Sequence, residues 1–195
     1  MNLLDQVAIR VLVENWALWR DTGQWDKLRT TFHPGATITV TWFDGPFEEF
    51  VEASARARAG GRLSQHVLGG TTVDLNGDRA IAQTRMTILL RGMAGDVEVD
   101  VAATGRFFDR IERRDGEWRI LKRAVIYEKS RMNPVAPGAR IEFDQQLLDS
   151  FPRGYCHLAY LQAQAGMRTL ANLPTGTGPE VERLAEDAYA WLGGA

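Results

Sequence analysis

LSQHVLGGTTVDL (residues 63–75), RAIAQTRMTILLR (79–91), DVEVDVAATGRFFDRIER (96–113) and EWRILKRAVIYE (117–128) are four consecutive β-type stretches. Between them lie Asn76-Gly77-Asp78, the segment from Gly92 to Gly95, and Asp115-Gly116. The first and last are hairpin signals, because Asn, Asp and Gly tolerate the positive φ of tight turns. Long strands joined this closely predict an antiparallel meander. Gly69-Gly70 lies inside the first stretch and precedes no helix, so it reads as a bulge or bend in a curved sheet. Arg113-Arg114 reads as a solvated hairpin end.

Upstream of these strands the hydrophobic period changes. Over residues 2–20, Leu4, Val7, Ile9, Val11, Leu12, Trp16 and Trp19 form an apolar stripe at helical spacing. Asp5 suits the positive end of that helix, and Thr22-Gly23 stops it, leaving Asp21 just beyond. A second helix is expected at 25–32, closed by His33-Pro34-Gly35. Residues 36–43 alternate as a strand with Ile38, Val40 and Trp42 on one face. Asp44-Gly45-Pro46 then makes a turn into a third helix over 47–59.

Downstream of Tyr127 the pattern weakens. Asn133-Pro134 and Pro137-Gly138 suggest an extended arm, followed by apolar segments at 143–151 and 155–165. A last helix is expected at 178–192, with Val181, Leu184, Ala188, Trp191 and Leu192 on one face. The organisation is one domain over 1–130 and a C-terminal extension over 131–195. The extension has too few apolar residues for its own core and must pack on the domain or a neighbouring subunit.

Composition narrows the function classes. Net charge is -2 over 195 residues, with both signs mixed, so there is no basic footprint for nucleic acid. Met1-Asn2-Leu3-Leu4-Asp5 has no basic n-region or apolar h-region. No apolar run approaches the ~20 residues of a membrane helix. A cytoplasmic protein without membrane contact is the expectation, and the single cysteine, Cys156, is compatible with a reducing compartment. His157 stands beside it, but sequence neighbours need not meet in space, and Cys156 reads as a small hydrophobe. His33, His66 and His157 show no paired ligand spacing, so neither a metal nor another cofactor is expected.

Several short segments carry a family resemblance. Trp25-Asp26-Lys27-Leu28 precedes Phe32-His33-Pro34-Gly35-Ala36. Asn76-Gly77-Asp78-Arg79-Ala80 follows, then Gly105-Arg106-Phe107-Phe108-Asp109, then Arg114-Asp115-Gly116-Glu117-Trp118-Arg119-Ile120. In this order they resemble the SnoaL-like branch of the nuclear-transport-factor-like superfamily, over residues 3–130. The resemblance implies an α+β cone-shaped barrel, with a curved mixed or antiparallel sheet wrapped around three N-terminal helices and a deep apolar pocket. Members include scytalone dehydratase, hexachlorocyclohexane dehydrochlorinase, ketosteroid isomerase, polyketide cyclases and non-catalytic binding modules, so the fold alone does not fix the function.

In the dehydratase and the dehydrochlorinase, an Asp follows the first helix and a His sits on the strand after the third. Asp21 and His66 match those positions. The implied chemistry is β-elimination or enolisation, with His66 as base and Asp21 orienting it. Trp16 stands where the dehydrochlorinase has a lysine. Arg20 replaces a tyrosine before the Asp, and no second His lies on the later strands. Arg123, on the last strand, is the candidate cation for a leaving group or carbonyl oxygen, and Lys122 has the opposite phase. Trp16, Trp19 and Trp42 are the candidate substrate-binding residues.

Plainer readings stand beside these. Asp21 can cap backbone donors after a helix, His66 can be a half-buried strand histidine, and the tryptophans can be core. Two functions follow. One is a cofactor-independent lyase, dehydratase or isomerase acting on a small cyclic apolar molecule. The other is a non-catalytic binding or oligomerisation domain that uses the same pocket. A dyad opening onto a pocket favours the first; a pocket filled by the protein's own side chains favours the second. A homo-oligomer, dimer or trimer, is expected, with the extension exchanged between subunits or closing the cone mouth as a lid.

Overall fold

The computed structural model describes residues 3–194. Helix α1 (Leu3–Thr22) leads through α2 (Trp25–Arg29) to β1 (Phe32–Val40), β2 (Phe43–Pro46) and α3 (Phe47–Ala59). Four long strands follow: β3 (Ser64–Asn76), β4 (Arg79–Ala94), β5 (Val97–Arg114) and β6 (Glu117–Pro134). The chain ends in α4 (Gln145–Asp149), α5 (Cys156–Gln164) and α6 (Pro179–Gly193). The expected first residue of the leading helix, Asn2, lies outside the described residues.

The strands form one curved, open, mixed sheet in the order β2-β1-β6-β5-β4-β3. Only β1 and β6 run parallel; every other neighbouring pair is antiparallel. Four register shifts bend it, at Leu68/Thr71, Thr104/Gly105, Arg110/Ile111 and Phe32/Thr37. The first confirms the bend expected at Gly69-Gly70. The second has a steric reason: a Cβ on Gly105 would sit 2.1 Å from the Ile126 carbonyl oxygen. Only glycine permits that approach of β5 to β6.

Helices α1 and α3 lie against the concave face. Ile9, Val13 and Trp16 from α1 and Phe47, Phe50 and Val51 from α3 are buried there with Ile38, Phe107, Val125 and Tyr127 of the sheet. Phe32 and Phe47 stack at 3.6 Å between ring centroids, fixing α3 to β1. On the convex face, α6 covers Ile81, Phe108 and Ile126 with Ala188 and Leu192. Both sheet faces are therefore buried over part of their area. Among the described residues, no helix is long and apolar enough to cross a membrane.

Several local expectations change. Helix α1 runs through Asp21 to Thr22, so Asp21 belongs to its last turn; Thr22 Oγ1 donates to the Leu18 carbonyl and extends the helix past the Thr-Gly stop. His33-Pro34-Gly35 is not a turn but the opening of β1, where Thr31 and Phe32 already meet Ile120. Trp42 lies in the connection between β1 and β2, and Asp44-Gly45-Pro46 pairs with β1 instead of turning. Strand β6 reaches Pro134, because β5 offers partners as far as Val99.

Candidate acid–base site

Asp21 and His66 meet where the end of α1 crosses the start of β3. Asp21 Oδ1 accepts a hydrogen bond from His66 Nδ1 at 2.7 Å. Asp21 Oδ2 accepts the His66 backbone N–H at 2.5 Å. One carboxylate thus fixes both the ring and the strand that carries it. Arg58 of α3 donates from Nη1 to the Asp21 carbonyl at 2.6 Å, tying the helix end to α3. With Nδ1 as donor, the ring's lone pair lies on Nε2. That atom has no hydrogen-bond partner among the described residues.

The surroundings of the imidazole are apolar. The Trp16 ring meets it edge-on at 5.4 Å, and Phe107 lies 6.0 Å away. Burial pushes the His66 pKa below its ordinary value; Asp21 opposes that shift, and Arg20 and Arg123 reinforce it. The neutral imidazole, the form that can accept a proton, is the one the site favours.

A groove of about 930 Å³ is bordered by both Asp21 and His66 on one side, and the expected deep pocket inside the cone is divided in two. An inner chamber of about 30 Å³ is lined by Trp16, Arg20, Trp42, His66, Phe107, Tyr127 and Gln162, among others. That is room for a water or one small substituent. Trp16, Phe50 and Phe107 occupy much of the cone interior themselves. An outer cavity of about 320 Å³ shares Arg20, Trp42 and Gln162 with the inner one. Helix α5 supplies its roof: Leu161 packs over Gly92, where an added Cβ would come within 3.2 Å. The C-terminal extension therefore forms part of the cavity wall of its own chain. Its Tyr155, Leu158, Ala159 and Tyr160 belong to the main core.

The other expected site residues fall into two groups. Trp16 and Trp42 line the inner chamber, as does His66. Trp19 packs against the core and lines neither cavity. Arg123 also lines neither. It is fully buried, and its Nε and Nη2 donate to the two oxygens of Asp109, each at 2.7 Å. Its guanidinium lies 4.2 Å from the Trp16 ring and 4.0 Å from Phe107. It faces inward as its strand phase predicts, yet it sits beneath Trp16, committed to a carboxylate.

Three further residues border the chamber. Tyr127 takes the Thr41 backbone N–H at 3.3 Å, and burial pushes its hydroxyl pKa up. Gln162 comes from the extension and gives no sequence signal. Arg20 adjoins Asp21, so its place could have been read from the chain. Asp109 shares the inward phase of Phe107, but its pairing with Arg123 was not legible: the register shift at Arg110/Ile111 sets Arg123 opposite it, where counting from the Asp115-Gly116 turn gives Lys122. Cys156 and His157 do meet in space, with Sγ 3.4 Å from Nδ1, and Ser130 Oγ lies 3.2 Å from that nitrogen. Among the described residues, no group of three or more His, Cys, Asp or Glu side chains is placed to hold a metal.

Relatives are found at the level of both sequence and fold. Pea pathogenicity protein 2 of Fusarium vanettenii is 34% identical over 177 residues, covering 88% of this chain and 75% of that protein. A PEP2-like protein of the same fungus is 32% identical, covering 98% of this chain and 87% of its own length. Among solved structures, a scytalone dehydratase candidate from Novosphingobium aromaticivorans superposes with a TM-score of 0.57 at 16% identity. That match covers 72% of this chain and 97% of the other. A hexachlorocyclohexane dehydrochlorinase (LinA), type 2, gives 0.55 at 19% identity, over 73% and 95%. Those two likenesses are of fold. Residues 1–124 match the SnoaL-like domain as a family, and the chain belongs to that family.

Proposed function

We propose that this chain is a cofactor-independent acid–base enzyme, a lyase or isomerase acting on a small cyclic molecule with an acidic C–H bond. His66 Nε2 accepts the proton, and the C–H electron pair forms a new double bond. In elimination a β-substituent leaves with its bonding pair; in isomerisation the proton returns to a different carbon. Asp21 holds the tautomer with Nε2 free and balances the charge of the imidazolium. One observation carries this reading: both Asp21 oxygens hold His66, and Nε2 is left without a protein partner. The fold that this chain shares with a dehydratase candidate and a dehydrochlorinase supports it.

Hydrogen–deuterium exchange at acidic carbons, followed by NMR over a panel of cyclic ketones and halides, tests the base directly. The parent should exchange the carbon-bound proton, and His66→Ala and Asp21→Asn should not. Equal exchange in all three proteins removes the proposed base.

A second reading, a binding domain without chemistry, is favoured by the size of the inner chamber, about 30 Å³. It predicts saturable ligand binding in the outer cavity with no exchange in any variant. Either reading is compatible with self-association. Leu18, Leu63, Val67 and Met93 are each more than half exposed, and sedimentation of Val67→Glu against the parent would show whether that surface pairs copies.

A further inference from the structure

Arg20 is the unusual cation of this structure. It is 8% exposed, on the last turn of α1, and borders both the inner chamber and the outer cavity. Its guanidinium makes no hydrogen bond or ion pair with any described residue. Of the other arginines nearby, Arg58 is held on the Asp21 carbonyl, Arg91 on Asp100 and Arg123 on Asp109, whereas Arg62 is exposed to solvent at the cavity wall. The neighbouring carboxylate, Asp21, spends both oxygens on His66.

The Asp21 carboxylate attracts this buried charge but takes no hydrogen bond from it, and a buried guanidinium with unfilled donors is unfavourable unless something completes it. Two more groups bordering the outer cavity share this condition. Ser64 Oγ and Gln162 Oε1 are both buried without a hydrogen-bond partner. Among the described residues, no Asp or Glu lines either the outer cavity or the inner chamber, whereas Arg62 adds positive charge to the outer wall. The remaining wall is largely apolar, from Trp42, Leu90, Met93 and Leu161.

We propose that Arg20 is the anchor of a carboxylate-binding subsite, and that the outer cavity takes an apolar ring bearing one carboxylate. The guanidinium fork donates two parallel hydrogen bonds to the carboxylate. Ser64 Oγ donates a third. Gln162 Oε1 accepts from a hydroxyl or enol on the same ligand. Arg20 and Gln162 also border the chamber that holds His66, so a carbon near the carboxylate is presented to the base. That last step, which makes the ligand a substrate, rests on the proposed acid–base reading; the anion site itself does not.

Calorimetric titration of the full chain with benzoate and cyclohexanecarboxylate, against benzamide and cyclohexanecarboxamide, tests the subsite. The parent should prefer each carboxylate by at least about tenfold, a difference that one buried charged hydrogen-bond pair supplies. Arg20→Met should abolish the preference, and Ser64→Ala should weaken it. His66→Ala should keep it, so a failure of catalysis and a failure of this subsite read out separately. Equal affinity for carboxylate and amide in the parent, a preference retained in Arg20→Met, or no saturable binding of either ring acid overturns the proposal. Acetate binding as tightly as benzoate overturns the ring-acid assignment. A melting temperature for Arg20→Met no lower than the parent's confirms that the loss is of ligand contact and not of fold.

Discussion

Asp21 grips His66 at two points, the ring nitrogen Nδ1 and the backbone amide, from the last turn of a helix to the third residue of a strand. The imidazole is thereby fixed in orientation and tautomer by one side chain. An Asn at position 21 has one acceptor oxygen for two donors, and its amide can donate to Nδ1 and favour the wrong tautomer. Asp21→Asn should lower turnover by ~10²–10⁴-fold, the usual worth of a general base, with KM changed little. Steady-state kinetics on any substrate found by exchange would measure it.

Burial holds the His66 pKa below its ordinary value. Two pH effects follow. The acid limb of kcat/KM should lie below the usual histidine range, and lower still in Asp21→Asn, because Asp21 raises the value that burial depresses. For stability, the unfolded ring titrates near about 6.5 and the folded ring below it. Its contribution is complete above the unfolded value and is lost as pH falls through the folded value. His157 is shifted in the same direction by burial. Urea midpoints across an acid series should therefore fall less steeply in His66→Gln and His157→Gln than in the parent.

Arg123 and Asp109 form a buried, two-bonded ion pair between β6 and β5. Removing one partner leaves a charge without compensation, so Asp109→Asn and Arg123→Met should each cost about 3–5 kcal/mol. The double variant Asp109→Leu with Arg123→Met should recover much of that loss. Denaturant unfolding of all three checks it; a double variant less stable than both singles would contradict this account.

Gly105 tolerates no side chain, since its Cβ would lie 2.1 Å from a backbone oxygen. Gly105→Ala should destabilise the β5–β6 pairing severely, whereas Gly77→Ala, in a turn with open space around it, pays only for its positive φ. A thermal-melting comparison of the two separates steric exclusion from backbone preference.

Truncation after Pro134 should not yield a folded domain. It strips Tyr155, Leu158, Ala159, Tyr160 and Leu161 from the main core. Leu161→Ala alone should cost ~2–5 kcal/mol. Near-ultraviolet circular dichroism and light scattering of the 1–134 fragment would reveal lost packing and association through the uncovered sheet.

The strands were legible because their alternation and turn residues are local. Asn76-Gly77 and Asp115-Gly116 mark hairpins whatever lies elsewhere in the chain, and β3 to β5 begin and end within a few residues of expectation. The β1 region was not, since pairing with β6 at Phe32 and again from Thr37 carries His33 and Pro34, which lie in the irregular stretch between, into a strand that their local chemistry resists. The Asp21–His66 pair depends on a resemblance, because no period or spacing links residues 45 positions apart. Gln162 was invisible for a simpler reason. Helix α5 has weak amphipathic character and is buried on most sides, so its sequence does not say which face meets a cavity. Arg123 shows the limit of strand phase: it gives the direction of a side chain but not whether a carboxylate waits there.

The roof over Gly92 has an evolutionary consequence. The SnoaL-like match ends at residue 124, whereas Leu161 and Gln162 shape the cavity from 37 and 38 positions further on. The proton-handling pair and the proposed anion anchor thus lie inside the family domain, while the roof over them is written beyond it. Exchanging Leu161 and its α5 neighbours between homologues should change the ring size that fits while leaving the base and the anchor in place.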